Sequence, residues 1–251
     1  MSLNIAVILA GGTGNRLGAE IPKQYVEVLG KPLLVWTLEL YERSPLIDAI
    51  EVVSVADYIE KTWEYAAQYE ISKLKWITPG GSSCQESIKN GIFHLEGICT
   101  EDDILIFGMS TSLFVTDEIL ADSLRVCRTY GNAFAGMQCI YNLATTEDGL
   151  CCRSINRKEV HKTLNLPWTA PFGTFHRLYQ AAYEQGIETD SAAYAPTLFL
   201  AMGETIHLSM DTAKNKLHVT TKEDLEIIEG CLLLEQQKKK EKDEDEIYCR
   251  H

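Results

Sequence analysis

Gly11-Gly12-Thr13-Gly14, followed by Arg16 and Lys23, is the part of this 251-residue chain best suited to chemistry. Glycines let the backbone turn sharply and bring several N–H groups close to an anion with no Cβ in the way. Arg16 and Lys23 add fixed positive charge within reach of the same loop. Together they make a candidate polyphosphate cradle, beside the plainer reading of a turn that is glycine-rich for steric reasons. The pattern is not a Walker loop, since no Gly-Lys-Ser/Thr follows, and it is not a dinucleotide fingerprint. A second candidate runs from Pro79 to Gly91, where Gly80-Gly81-Ser82-Ser83 leads into a helical pattern. Helix N-termini present N–H donors to a carbonyl or a phosphate. The alternative there is an ordinary glycine turn with Ser82 or Ser83 as N-cap.

The elements around these loops set where they can stand. Ile5 to Leu9 is an apolar run that reads as a buried parallel strand ending at the first loop. Gly30-Lys31-Pro32 is a turn, with Pro32 suited to the first helical position. Leu33, Leu34, Trp36, Thr37, Leu38, Leu40 and Tyr41 then recur at helical spacing. Ile50 to Ala56 predicts a second strand. Asp57 is placed to cap the next helix, which carries Ile59, Trp63, Ala66, Ala67 and Tyr69. Lys75 to Thr78 is a third strand. This βαβαβ rhythm predicts a parallel sheet with ligands at the carboxyl ends of its strands. Further strands are expected from Asp102 to Gly108, in Asn132 to Asn142, and at Thr205 to Ser209. Asp102 and Asp103 begin their strand at the wrong end of the sheet for the site and read as capping or solvated groups. A helix bearing Phe175, Leu178, Tyr179, Ala182 and Tyr183 precedes the late strand. A last helix from about Thr221 to Glu235 turns Leu225, Ile228, Leu232 and Leu233 inward. Leu143 to Pro167 mixes polar residues and predicts an excursion from the sheet. The chain therefore reads as one domain over 1–235, with an arm at about 143–167 and a mixed-charge tail over 236–251.

Composition narrows the partners. A formal charge of −13 disfavours non-specific binding to nucleic acid or anionic membranes. No apolar run approaches the ~20 residues needed to span a bilayer, and no signal peptide opens the chain, so the expected location is cytoplasmic. Eight cysteines include no CxxC pair, which argues for reduced thiols rather than a zinc site.

Leu9-Ala10-Gly11-Gly12-x-Gly14-x-Arg16 followed by Pro22-Lys23-Gln24-Tyr25 resembles the signature of the sugar-phosphate nucleotidyltransferases. The Pro-Lys-Gln-Tyr ending is similar to the cytidylyltransferase branch that makes CDP-methylerythritol or CDP-ribitol. The resemblance extends from Asn4 to about Glu229. It implies a three-layer αβα, Rossmann-like fold, with a mainly parallel sheet and a protruding arm that reaches across a homodimer. It further implies nucleotide binding by Ala10, Gly11, Gly12, Thr13, Gly14, Gly80, Gly81 and Ser87, and catalysis by Arg16 and Lys23. Arg157, Thr189, Asp190, and Lys216 or His218 would bind the phosphorylated acceptor. The sequence departs from the pattern in several places. Cys84 stands where an arginine contacts the nucleotide. Phe107-Gly108-Met109-Ser110-Thr111-Ser112 replaces His-Asp-Ala-x-Arg-Pro, so the metal-holding aspartate and the arginine are missing. Trp168 to Phe175 lacks the glutamine of Thr-Pro-Gln-x-Phe. His218 falls where a lysine is expected, with Lys216 able to serve if the register slips by one residue.

The implied reaction is attack by a phosphomonoester oxygen on the α-phosphorus of CTP, with release of pyrophosphate. The acceptor would be 2-C-methyl-D-erythritol 4-phosphate or D-ribitol 5-phosphate, and the cofactor Mg²⁺, with no protein ligand assigned. Lys23 is expected on the α-phosphate and Arg16 on the β- and γ-phosphates. Two alternatives are a degenerate member that binds nucleotide or acts as an oligomeric scaffold, and a transferase with another NTP or acceptor.

Overall fold

The computed structural model describes residues 2–12, 21–187 and 194–248, without the side chains of 239 and 242–248. Its centre is a seven-stranded sheet in the order β11-β7-β10-β6-β1-β4-β5. The strands are β1 (Asn4–Ala10), β4 (Ala49–Ser54), β5 (Leu74–Pro79), β6 (Ile104–Met109), β7 (Ala133–Gln138), β10 (Lys162–Pro171) and β11 (Leu208–Ser209). β1 pairs in parallel with β4 and β6, β4 with β5, and β7 with β11. β10 alone runs antiparallel, between β6 and β7. The short pair β2 (Glu27–Val28) and β3 (Lys31–Pro32) lies outside this sheet.

The side-chain alternation of β1 builds both faces. Ile5, Val7 and Leu9 pack toward α3 (Cys84–His94), α5 (Phe172–Glu184) and α6 (Ala195–Ala201). Ala6, Ile8 and Ala10 pack toward α1 (Leu33–Arg43), α2 (Ile59–Gln68) and α4 (Asp117–Tyr130). Helices therefore cover both faces of a mostly parallel sheet, as the βαβ rhythm requires. α7 (Lys222–Tyr248) adds a third cluster, with Ile228 and Leu232 against Leu33, Leu113, Phe114 and Val219. Among the described residues, no helix is long and apolar enough to cross a membrane.

Several expectations shift in register. Pro32 is extended, in β3, and α1 begins one residue later. Asp57 lies inside a 3-10 turn (Ala56–Tyr58), and no side chain caps the first turn of α2. That helix buries Thr62 and Ala66, leaving Trp63 at 42% exposure, so its inward face is rotated by one residue. Leu233 of α7 is also exposed, because the buried stripe passes through Ile228 and Leu232.

The excursion expected over 143–167 ends earlier. β8 (Leu143–Thr145) and β9 (Ser154–Asn156) form a hairpin, and from Lys162 the chain is back in the sheet as β10. The polar Asn165 masks that strand in the sequence. It is buried and hydrogen-bonded on both sides of its amide, so it needs no solvent.

Candidate active site

β1 ends at Ala10, and Gly11 and Gly12 follow at the carboxyl edge of the sheet. Gly80 follows β5 and returns its N–H to Ser54 at the end of β4 (2.7 Å). The two glycine loops touch. A Cβ on Gly80 would stand 3.1 Å from both the Gly11 Cα and the Ser87 Oγ, and a Cβ on Gly11 would also meet Ser87 Oγ at 3.1 Å. Glycine at both positions lets the two loops approach this closely, and a Cβ at either would press on its neighbours. Ser87 locks the second loop, accepting from Gly81 N–H (3.0 Å) and donating to Ser83 C=O (2.9 Å). Ser83 is the N-cap of α3, accepting from Glu86 N–H (3.1 Å). Glu86 in turn accepts from the backbone and hydroxyl of Ser82, which holds its carboxyl below the usual range.

Pro22-Lys23-Gln24-Tyr25 has a plain structural logic. Gln24 is buried and donates its amide to the Ala10 carbonyl (2.5 Å). Tyr25 is buried against Tyr58, with its hydroxyl 2.8 Å from both Ser54 Oγ and Thr62 Oγ1. These anchors to β1 and β4 turn Lys23 toward a cavity of about 420 Å³. Its walls include Gly11, Gly12, Gly81, Ser82, Ser83, Cys84, Ser87, Met109, Ser110 and Tyr194. Lys23 Nζ donates to the Val219 carbonyl at 2.8 Å. Burial pushes the Cys84 thiol up to about 11, so the wall there is neutral.

His218 joins the loop after β6 to β10: Nδ1 lies 3.3 Å from Ser112 Oγ and Nε2 2.8 Å from Asn165 Oδ1. Burial first, then the Lys23 charge, lowers its pKa from the ordinary histidine value. Lys216 reaches Thr163 Oγ1 instead of Lys23. Asp224 accepts from Thr220 and Thr221 N–H (2.8 Å each), which with the Lys23 charge holds its carboxyl below the usual range. Arg157 sits after β9 with its side chain 79% exposed and Glu159 at 3.9 Å. Thr13, Gly14, Arg16, Thr189 and Asp190 lie outside the described residues.

The structure therefore brings together Ala10, Gly11, Gly12, Lys23, Gly80, Gly81 and Ser87. It sets Arg157 apart on the arm and turns both ring nitrogens of His218 to protein groups. Met109 and Ser110, from the segment that departs from the family pattern, line the wall, as does Tyr194, which no motif signalled. Tyr194 is half exposed and its ring lies 6.0 Å from buried Trp168. Asp103 accepts from Leu3 and Thr100 N–H, the capping role expected of it. Among the described residues, no group of three His, Cys, Asp or Glu side chains could hold a metal ion, and no carboxylate lines the cavity. A larger recess of about 680 Å³, around Glu101, Asp102, His176 and Arg177, opens at the opposite end of the sheet.

A mainly parallel sheet flanked by helices, with two glycine loops and a lysine meeting at its carboxyl edge, is the nucleotidyltransferase architecture. The chain belongs to the 2-C-methyl-D-erythritol 4-phosphate cytidylyltransferase family, whose model matches residues 4–233. It is 32% identical over 227 residues to a ribitol-5-phosphate cytidylyltransferase of Lacticaseibacillus paracasei, covering 90% of this chain and 97% of that one. A 2-C-methyl-D-erythritol 4-phosphate cytidylyltransferase of Geobacter metallireducens is 31% identical over 227 residues, covering 90% and 95%. The fold matches a 4-diphosphocytidyl-2C-methyl-D-erythritol synthase from Anaerococcus prevotii with TM-score 0.77 at 16% identity, over 92% of this chain and 99% of that one.

Proposed function

We propose that this protein transfers CMP from CTP to a polyol phosphate, 2-C-methyl-D-erythritol 4-phosphate or D-ribitol 5-phosphate, and releases pyrophosphate. The observation that carries this reading is the placement of Lys23 over a cavity floored by two interlocked glycine loops. An oxygen of the acceptor's phosphomonoester attacks the α-phosphorus, the α–β bridging P–O bond breaks, and pyrophosphate leaves with that oxygen. The attacking group is already ionised, so no protein base is needed. The barrier is charge repulsion and charge growth on the α-phosphoryl oxygens, which a fixed ammonium relieves. Arg16 is assigned to the β- and γ-phosphates. The cavity wall among the described residues offers no carboxylate. Mg²⁺, carried in with the triphosphate, would supply charge neutralisation to the leaving pyrophosphate.

Two further features fit. Ile140, Tyr141, Leu150, Ile155 and Val160 are all more than 60% exposed on and beside the arm, which favours a homodimer formed through it. The described cysteines are free thiols, as in a reducing cytoplasm. A second reading, a member that binds nucleotide with little turnover, is favoured by one observation. Gly108 offers no carboxylate, and Tyr41 fills the space beside it.

The test is pyrophosphate release with Mg²⁺, pairing four NTPs with a panel of polyol and sugar phosphates. Release with CTP and one polyol phosphate supports the proposal and names the acceptor. Release with another NTP overturns the base assignment. Silence with a CTP-dependent thermal shift selects the binding-only reading, and silence without one selects the scaffold.

A further inference from the structure

The segment leading to Val219 is stitched into the sheet by side chains whose bonds interlock. Asn215 donates its amide to the Leu166 carbonyl (2.8 Å) and to Asp211 Oδ1 (2.7 Å). Its own carbonyl receives Asn165 Nδ2 at 3.0 Å. That bond orients the Asn165 amide, with its nitrogen toward Asn215 and its oxygen toward His218. The oxygen only accepts, so His218 Nε2 carries a hydrogen and donates across the 2.8 Å gap. In the neutral ring Nδ1 then accepts, and the hydroxyl of buried Ser112 donates to it. His218 also forms an isolated antiparallel bridge with Ser112. Val219 follows directly, and its carbonyl is the one that receives the Lys23 ammonium.

We propose that His218 is a positioning residue for Lys23: clamped between Ser112 and Asn165, it fixes the Val219 carbonyl and so sets where the lysine's charge stands over the cavity. Both ring nitrogens are committed to protein groups, so the histidine acts through its neighbour rather than on substrate. The groups that face it are Lys23, Asp211, Asp224 and the Thr111 backbone. Burial and the Lys23 charge favour the neutral ring over the opposing pull of Asp211, Thr111 and Asp224. Acid, by protonating Nδ1, removes the acceptor that Ser112 uses. The turnover readout below rests on the transferase reading; the placement of Lys23 does not.

Two measurements on full-length wild type, His218→Ala, His218→Gln and Ser112→Ala decide the matter. The first is the acetylation rate of Lys23 by an N-hydroxysuccinimide ester, mapped by peptide mass spectrometry against the other lysines. Loss of one hold should change the Lys23 rate about fivefold in His218→Ala and in Ser112→Ala, with His218→Gln near wild type. A Lys23 rate within about twofold of wild type in both truncations overturns the proposal. The second is steady-state pyrophosphate release. Here kcat should fall about tenfold in His218→Ala with both KM values nearly unchanged, and recover in His218→Gln. No rescue of kcat by Gln overturns the proposal. Ser112→Ala carries the test if His218→Ala does not fold. Wild type without turnover refutes the transferase reading, and the acetylation result alone then decides the role of His218.

Discussion

The hydroxyl of Tyr41 occupies the place where a side chain on Gly108 would begin. A Cβ there would overlap that oxygen and stand 3.1 Å from the Tyr41 Cζ and from Ile8 Cδ1. Tyr41 is fully buried, and burial pushes its phenol well above the ordinary range. The hydroxyl finds no hydrogen-bond partner among the described residues. The glycine in β6 is thus matched by a tyrosine from α1 that fills the same volume, at the position where the family pattern carries an aspartate.

Gly108→Ala should therefore destabilise the protein by about 1–3 kcal/mol through overpacking. Tyr41→Phe should stabilise it by about 1 kcal/mol, because it deletes a buried hydroxyl that has no partner. The double variant should be more stable than the sum of the two effects. A double-mutant cycle by urea unfolding checks this, and strict additivity would refute the steric coupling.

Ser87 and Gly80 hold the two loops in contact, so their replacement should act on substrate binding. Ser87→Ala removes one acceptor and one donor from the Gly81–Ser83 turn and should cost about 1 kcal/mol. The nucleotide KM should rise about tenfold while kcat stays close to wild type. Gly80→Ala should do more damage, since its Cβ meets the Gly11 backbone as well as the Ser87 hydroxyl. Kinetics on folded variants distinguish these outcomes. A lower kcat at constant KM would mean that the loop acts in the transition state instead.

Glu51 and His94 give stability a pH dependence. Glu51, fully buried in β4, is pushed up to about 7 by burial, against the pull of His94 Nδ1 at 2.8 Å. His94 is raised in turn by its bond to Glu51. Both groups hold protons more tightly in the folded state than in the unfolded one. Their stabilisation is complete below the ordinary carboxylate pKa, near 4.5, and is lost as pH rises through about 7 and beyond. The melting temperature should fall between pH 5 and 8, and Glu51→Gln should flatten most of that slope. An equally steep slope in Glu51→Gln would assign the effect to other groups.

Sequence spacing revealed the architecture near β1 because its signals are local there. An apolar run meets glycines, and Gln24 and Tyr25 anchor the lysine that precedes them to adjacent strands. The parallel sheet followed from the βαβ rhythm, and the three-layer arrangement from the family resemblance. What escaped depends on contacts distant in the chain. β10 contains two prolines and the buried Asn165, so neither its alternation nor its antiparallel direction is legible. Tyr194 reaches the cavity only because α6 is docked beside α5 and Trp168. Lys216 and His218 both end on protein groups, Thr163 for the one and Ser112 with Asn165 for the other, contacts too distant in the chain for a motif to signal.

The place of β10 also dictates an order of events during synthesis. β6 and β7 are joined through α4 but are separated in the sheet by a strand completed only at Pro171. A nascent chain that stops short of that point leaves facing edges on two strands, with nothing to bridge them. β7 meets the rest of the sheet only through β10, and β11, later in the chain, adds beyond β7. β10 is in effect a keystone, laid late and against the direction of its neighbours, and the domain closes around it.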